Sequence, residues 1–350
     1  MAVERILLAE PRGFCAGVEK AIKALAWMVC VFDPPVYCYH EIVHNQHVVD
    51  QFREQGVRFV DDVDEVPAGA PLMLSAHGTA PEVVERARRR GGVVIDAVCP
   101  LVTKVHHELK VRARKGYTVL YVGHSGHEEA VGTMAVAPQS VHLIEHESDL
   151  DALGDLRSAG TPVALLAQTT LSHDEWSGLR EAAQARFPDL WMPNRGDLCF
   201  ATTNRQAALK AIAHRSDTVI VVGSANSSNT VALEKVARAS GCARVVRVDR
   251  VDEVPDDLAG TVGITAGASA PELLVSEIVT RLAPAQGVEH VHVTAEDEYF
   301  PPPPELRELL RALATTVGLL CGAGSVGGAT DPVGEDRDLS AADVLGAFAP

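Results

Sequence analysis

The chain has 350 residues, 47% of them hydrophobic, and a formal net charge of −16 at neutral pH. That length allows two or three compact units, and the charge argues against nucleic acid as a partner, because phosphate backbones are gripped by basic surfaces. No stretch approaches the roughly 20 consecutive apolar residues of a membrane span. Met1-Ala2-Val3-Glu4-Arg5 lacks the basic-then-apolar pattern of an export signal, so a cytoplasmic location without membrane contact is expected. Seven cysteines, an odd number with no Cys-x-x-Cys pair, fit neither a disulfide framework nor a zinc ribbon.

Taken in order, strand-like and helix-like runs alternate. Residues 5–9 read as a strand, and Val18, Ile22 and Leu25 mark the helix behind it. Further short strands are expected at 36–39, 72–74, 93–95, 119–122, 163–166, 219–222, 245–248 and 262–264. Most lead into a Gly, Ser or His turn and then a helical pattern, the βαβ signature of parallel sheets covered by helices. After Phe300, four prolines at 301–304 form a stiff tether, and Leu306, Leu309, Leu310 and Leu313 make a helical stripe. Gly, Ala, Ser and Asp dominate from Gly322 onward, and that tail is expected to be poorly ordered.

Four turns share a character: Ser75-Ala76-His77-Gly78, Gly123-His124-Ser125-Gly126-His127, Gly223-Ser224-Ala225-Asn226-Ser227-Ser228-Asn229 and Thr265-Ala266-Gly267-Ala268-Ser269. Small residues let a backbone approach a ligand, and helix N-termini attract anions. In open α/β sheets, ligands bind beyond the carboxyl ends of strands. One such turn is ordinary turn chemistry; four of them suggest an anion site assembled from several segments.

Three cysteines stand at strand-to-helix turns. Cys99 follows the run Val93-Val94-Ile95, and Pro100 takes the first helical position, which needs no N–H. A sulfur at a helix start is stabilised as thiolate, able to act as nucleophile, redox group or metal ligand. Cys15 and Cys199 open helices in the same way. Cys30 and Cys38 read as buried structural thiols, while Cys242 and Cys321 adjoin glycines in loop-like contexts.

Several motifs, in one order, now resemble a known family. They are Arg12-Gly13-Phe14-Cys15-Ala16-Gly17-Val18, Glu41-Ile42-Val43-His44-Asn45, Ser75-Ala76-His77-Gly78, the run from Asp96 to His106, and Gly126-His127 with Glu129 and Gly132-Thr133-Met134. Gln168-Thr169-Thr170-Leu171-Ser172, Cys199 to Gln206, Asn226 to Asn229 and Thr265 to Glu272 complete the set. Over roughly residues 6–300 the chain resembles the 4-hydroxy-3-methylbut-2-enyl diphosphate reductases. The resemblance implies an α/β fold, three similar α/β domains with small, mainly parallel sheets around a central iron–sulfur cluster. The expected divisions are 10–96, 97–195, and 196–283 joined by the N-terminal strand 1–9, with 284–350 a partly disordered C-terminal extension.

The resemblance further implies that Cys15, Cys99 and Cys199 are the three cysteine ligands of a 4Fe–4S cluster, whose fourth iron faces the substrate. The reaction would be a two-electron, two-proton removal of the C4 hydroxyl from an allylic diphosphate, yielding isopentenyl and dimethylallyl diphosphates. Ferredoxin or flavodoxin would donate the electrons, and the basic runs 86–90 and 110–115 are candidate docking sites. His44, His77 and His127 match the family's histidines near the diphosphate, and Ser227, Asn229 and Ser269 match its polar ligands. Ser228, Thr202 and Thr170 would be outer contacts. Glu129 matches the proton-delivering glutamate, and Thr169 matches the hydroxyl that contacts substrate and joins the relay. His40, His47, His106 and His124 read as core or surface residues.

The chain departs from the family at Glu128, where proline is usual, at Val131, where glutamate is common, and at Thr230-Val231-Ala232-Leu233. Glu128 is expected to point away from the site. The competing readings are a diverged paralogue using another allylic diphosphate, a non-catalytic cluster or diphosphate sensor, and a thiol redox protein built on Cys99. Glu129 and Thr169 together argue against a sensor, because binding alone needs no proton relay.

Overall fold

The structure is a computed structural model that describes residues 2–153, 160–194, 196–320 and 336–348. The strands in its first third are β1 (Val3–Glu10), β2 (Val36–Tyr39), β3 (Val57–Val60), β4 (Leu72–Leu74) and β5 (Val94–Asp96). There follow β6 (Thr118–Val122), β7 (Val141–Ile144), β8 (Val163–Ala167), β9 (Thr218–Val222), β10 (Arg244–Val248), β11 (Gly260–Ala266) and β12 (Val288–His292). The helices between them are α1 (Ala16–Val31), α2 (Gln46–Glu54), α3 (Pro81–Arg89), α4 (Pro100–Arg114), α5 (Glu128–Met134) and α6 (Glu147–Ala152). After these come α7 (His173–Arg186), α8 (Phe200–Ala213), α9 (Ser228–Ala239), α10 (Glu272–Leu282), α11 (Pro304–Leu320) and α12 (Ala341–Gly346). Among the described residues no helix is long and apolar enough to cross a membrane.

The chain divides into two compact units. The first comprises Met1–Cys15, His77–Pro81 and Pro100–Glu296. It carries a five-stranded sheet in the order β10-β9-β11-β1-β12 and a three-stranded sheet in the order β7-β6-β8. Every pairing in both is parallel. Successive side chains of a strand point to opposite faces, and β1 uses both: Ile6 and Leu8 join the core with Val262 and Ile264, while Leu7 and Ala9 pack with Leu209 and Ile212 of α8. A strand buried on both faces reads as an unbroken apolar run, which is why the strand is legible in the sequence at residues 6–9. In the smaller sheet Leu120 and Val122 pack towards Trp176 of α7, and Val119 and Tyr121 towards Val105 and Leu109 of α4.

The second unit comprises Ala16–Ala76, Glu82–Cys99 and Asp297–Pro350. Its parallel sheet runs β3-β2-β4-β5, with Tyr37, Leu72 and Leu74 in the core. Here the structure corrects the expected tail. Residues 336–348 are packed, with Ala341 and Leu345 of α12 buried. Lys23 of α1 explains this. Its ammonium lies 2.9 Å from the Asp336 carboxylate and donates to the carbonyls of Asp336 and Leu339 at 2.7 and 3.1 Å. Glu19, one turn earlier, accepts the N–H of Ala341 at 2.6 Å. The rest of the expected disorder, and Cys321, lie outside the described residues.

Two other expectations change. Cys30 is exposed rather than buried, although Cys38 is buried in β2. The strands β3, β7 and β12 were not expected from the sequence, and β12 carries the five-stranded sheet beyond residue 283.

Lys23 and Asp336 are both almost wholly buried, so removing one partner strands the other charge, at a cost of about 3 to 5 kcal/mol. Lys23→Met is expected to lower the urea midpoint and to open 336–348 to limited proteolysis. An unchanged midpoint with a protease-resistant tail would show that the pair does not hold this segment.

Candidate active site

In the first unit the polar turns follow strands of parallel sheets, so those of one sheet lie at one edge. The turn after β6 ends in His127, which caps α5 by accepting the N–H of Glu129 on Nδ1 at 3.1 Å. An accepting Nδ1 carries no proton, so the neutral ring holds its proton on Nε2. In that tautomer Nε2 is a hydrogen-bond donor. The His77 ring lies edge-on to His127, with centroids 6.2 Å apart. Two glycines permit this proximity. A Cβ at Gly132 would collide with the Gly78 carbonyl, and Gly78 itself adopts a φ of +92°.

Glu129 is the central group. Its side chain is buried, and Thr169 grips both carboxylate oxygens: the Thr169 N–H donates to Oε1 at 2.7 Å and its hydroxyl to Oε2 at 2.9 Å. Burial pushes the carboxyl up to about 7, against the lowering effect of the two Thr169 hydrogen bonds. Glu129 can thus hold or release a proton at neutral pH. Glu128 does not point away as expected; its carboxylate lies 4.0 Å from His77 Nε2.

Thr169 also connects Glu129 to a cysteine. Its carbonyl accepts the N–H of Cys199 at 3.0 Å. Cys199 caps α8, its sulfur accepting the Thr202 N–H at 3.2 Å and lying 3.0 Å from the Thr202 hydroxyl. Asn229 donates to that hydroxyl at 3.3 Å and accepts the Ala268 N–H at 3.0 Å, and the Ala268 carbonyl accepts the N–H of Cys15 at 3.2 Å. An unbroken chain of hydrogen bonds thus runs from Glu129 through Cys199 to Cys15. The Asn229 amide carries a second hydrogen besides the one it gives Thr202. Ser227 and Ser269 are buried with their hydroxyls 3.4 Å apart, and Ser228 lies 3.0 Å from Thr170 and 3.3 Å from the Gln168 amide.

The expected thiolate at a helix start needs correction at Cys199. Burial pushes this thiol up to about 11, and the nearby Cys15 pushes the same way, outweighing the hydrogen bonds from Thr202 and the charge of Arg205. A metal that binds thiolate must displace this proton. Cys99 and His44 belong to the second unit. There the Cys99 N–H donates to the Ala76 carbonyl at 3.0 Å, and Lys20, buried, donates to the Val98 carbonyl at 2.7 Å. His44 is buried with Nδ1 3.5 Å from the Glu41 carboxylate. None of the described cysteines is in a disulfide.

The sequence reading did not single out Asp197 or Arg205. Asp197 is buried, accepts the Ala167 N–H at 3.1 Å and lies 3.5 Å from Lys104; burial raises it to about 6. Arg205 lies within the run from Cys199 to Gln206, but nothing in sequence signals its partners Gly13 and Phe14, which are almost 200 residues away. The basic run 86–90 is largely neutralised, since Arg86 pairs with Asp62 and Asp64, Arg88 with Glu305, and Arg90 with Asp64.

The LytB protein family matches residues 6–283. The chain belongs to the LytB family. Within it, the 4-hydroxy-3-methylbut-2-enyl diphosphate reductase of Rhodopirellula baltica is 46% identical over 314 residues, 88% of this chain and 97% of that one. The reductase of the same name from Mycolicibacterium paratuberculosis is 47% identical over 309 residues, 87% and 92% of the two chains. The solved E-1-hydroxy-2-methyl-but-2-enyl-4-diphosphate reductase of Plasmodium falciparum superposes with a TM-score of 0.86 at 31% identity, covering 90% of this chain and all of that one. The α/β fold with several small parallel sheets is thus a LytB fold.

Glu129 makes a pH dependence. A carboxyl raised on folding adds stability below its unfolded value near 4.5 and loses it as pH rises through about 7. Between those values the metal-free protein is expected to lose on the order of 3 kcal/mol from this group. Glu129→Gln should flatten that part of the stability profile, measured by urea unfolding across the range. A profile identical to the parent's would place the ionisation elsewhere.

Proposed function

We propose that the chain catalyses the reductive dehydroxylation of (E)-4-hydroxy-3-methylbut-2-enyl diphosphate to isopentenyl and dimethylallyl diphosphates. The observation that carries this is Glu129: a buried carboxyl, ionising near neutrality, bonded to the hydroxyl of Thr169 and tied through it to Cys199. Relatives named as this reductase, matched over most of their length, support the substrate.

Cys15, Cys99 and Cys199 would hold the iron–sulfur group. Soft thiolates suit iron–sulfur chemistry, and the three thiols fit: none is in a disulfide, each directly precedes a helix, and each is only partly exposed. When bound, a 4Fe–4S cluster with one iron free of protein ligands supplies the electrons and a Lewis-acidic position. In the overall reaction the allylic C–O bond breaks, two electrons enter, one proton leaves with the hydroxyl as water, and one ends on carbon.

The residues divide that work. His127 offers Nε2–H to the diphosphate, with His77 and His44 as further donors. Ser227, Ser228, Asn229 and Ser269 lie on turns 223–229 and 265–269, where hydroxyl and amide groups hold an anion without lysines. That suits a chain with so much negative charge. Thr169 passes a proton between Glu129 and the substrate hydroxyl; its Oγ can donate and accept at once. General acid catalysis of this kind contributes about 10² to 10⁴-fold. A ferredoxin or flavodoxin is the proposed electron donor, and Lys110, Arg114 and Lys115, all exposed at the end of α4, remain as the basic docking candidates.

Anaerobically reconstituted protein tests this directly. Glu129→Gln should keep its iron and its substrate affinity and lose turnover by about 10² to 10⁴-fold, while Glu128→Gln should keep most turnover. Near-normal turnover in Glu129→Gln with full iron sinks the assignment. Cys15→Ser, Cys99→Ser and Cys199→Ser should each lose iron, and Cys242→Ser should not. In calorimetry, Asn229→Ala should weaken substrate binding by roughly 1.5 to 3 kcal/mol; unchanged affinity would move the diphosphate away from α9.

A further inference from the structure

Arg205 is fully buried, and arginine is among the residues least often found so. It stands on α8 six residues after Cys199, and its guanidinium reaches back to the turn that carries Cys15. Nε donates to the Gly13 carbonyl at 2.9 Å and one terminal nitrogen to the Phe14 carbonyl at 3.1 Å. The other donates to the Ala201 carbonyl at 3.1 Å and to both oxygens of Glu296 at 3.0 and 3.1 Å. Glu296 also accepts from Asn204 at 2.9 Å. On the other side of the same turn, the N–H groups of Gly13 and Cys15 donate to the carbonyls of Ala266 and Ala268.

We propose that Arg205 is the positioning residue that sets the spacing of Cys15 and Cys199, and that Glu296 is the counter-ion that keeps this clamp neutral beside the cluster. The inference rests on the reading of those cysteines as iron–sulfur ligands. The turn from Gly13 to Cys15 has no regular secondary structure of its own. Its N–H groups meet Ala266 and Ala268, and its carbonyls meet the guanidinium, so among the described hydrogen bonds the direct tie from this turn to the helix that Cys199 caps is Arg205. A guanidinium suits the task because its donors form a rigid planar fork and it stays charged. Lysine offers a point charge on a flexible stem and cannot meet the Gly13, Phe14, Ala201 and Glu296 acceptors together.

Charge gives the second half. An unbalanced cation near a cluster favours its reduced, more negative state and raises its potential. With Glu296 in contact, that effect is largely cancelled. Neutralising Glu296 therefore exposes the charge without removing the clamp, since a glutamine keeps an oxygen to accept from Arg205. A packing role alone would predict no change in potential.

The test uses the full chain, reconstituted anaerobically, with three variants: Arg205→Lys, Arg205→Met and Glu296→Gln. Iron release to a chelator and cluster potential by spectroscopic redox titration are read, with secondary structure by circular dichroism as the folding control. Arg205→Lys should fold and release iron at least about tenfold faster than the parent. Glu296→Gln should release iron at the parent rate and show a more positive potential. If Arg205→Met fails to fold, the other two variants decide. Parent-like iron release in Arg205→Lys overturns the positioning role, and an unchanged or more negative potential in Glu296→Gln overturns the counter-ion role. A parent protein that takes up no iron would fail the cluster reading itself, a result distinct from either.

Discussion

Parallel pairing is the constraint on which the rest of this structure depends. Every strand pair in the three sheets runs in one direction. Each strand must therefore be followed by a crossover, and each crossover begins at the carboxyl edge of its sheet. Reactive side chains gather there because small, polar residues are needed at the turns and helices start with unpaired N–H groups. Glu129, Asn229 and Ser269 follow β6, β9 and β11, and none of them depends on a long loop for its position.

Within that frame, opposed forces meet at one carboxyl. Burial alone would keep Glu129 permanently protonated, whereas hydrogen bonds to its charged form alone would keep it ionised. Thr169 supplies both of its hydrogen bonds, through backbone and side chain, and leaves the balance near neutrality. Cys199 shows the same contest. There burial prevails over the helix start, so a position that sequence logic assigns to a thiolate favours the protonated thiol.

The central strands and the polar turns were legible in the sequence because they are the parts with a local signature. The runs at 6–9, 119–122 and 219–222 are apolar throughout, as strands buried on both faces must be. The strands β3, β7 and β12 lie at sheet edges and mix charged or histidine residues with apolar ones, and they resemble loops until a neighbour is seen. The candidate site residues were legible as motifs. Their connections were not: Arg205 to Gly13 and Phe14, and Lys23 to Asp336, join positions far apart in the chain. Glu128 was misjudged for a related reason, since its orientation depends on a neighbour, His77, supplied by another turn.

The placement of β1 has a consequence for how the protein is made. This strand precedes every other strand of its sheet in the chain, yet it lies between β11 and β12, with Ile6 opposite both Val262 and Val288. On a ribosome, its apolar residues must wait for more than two thirds of the chain before either neighbour exists. Pairing across such separations is slow and leaves apolar surface uncovered meanwhile. The five-stranded sheet therefore closes late, by insertion of its earliest strand, and the turn bearing Cys15, which continues directly from β1, gains its final geometry only then.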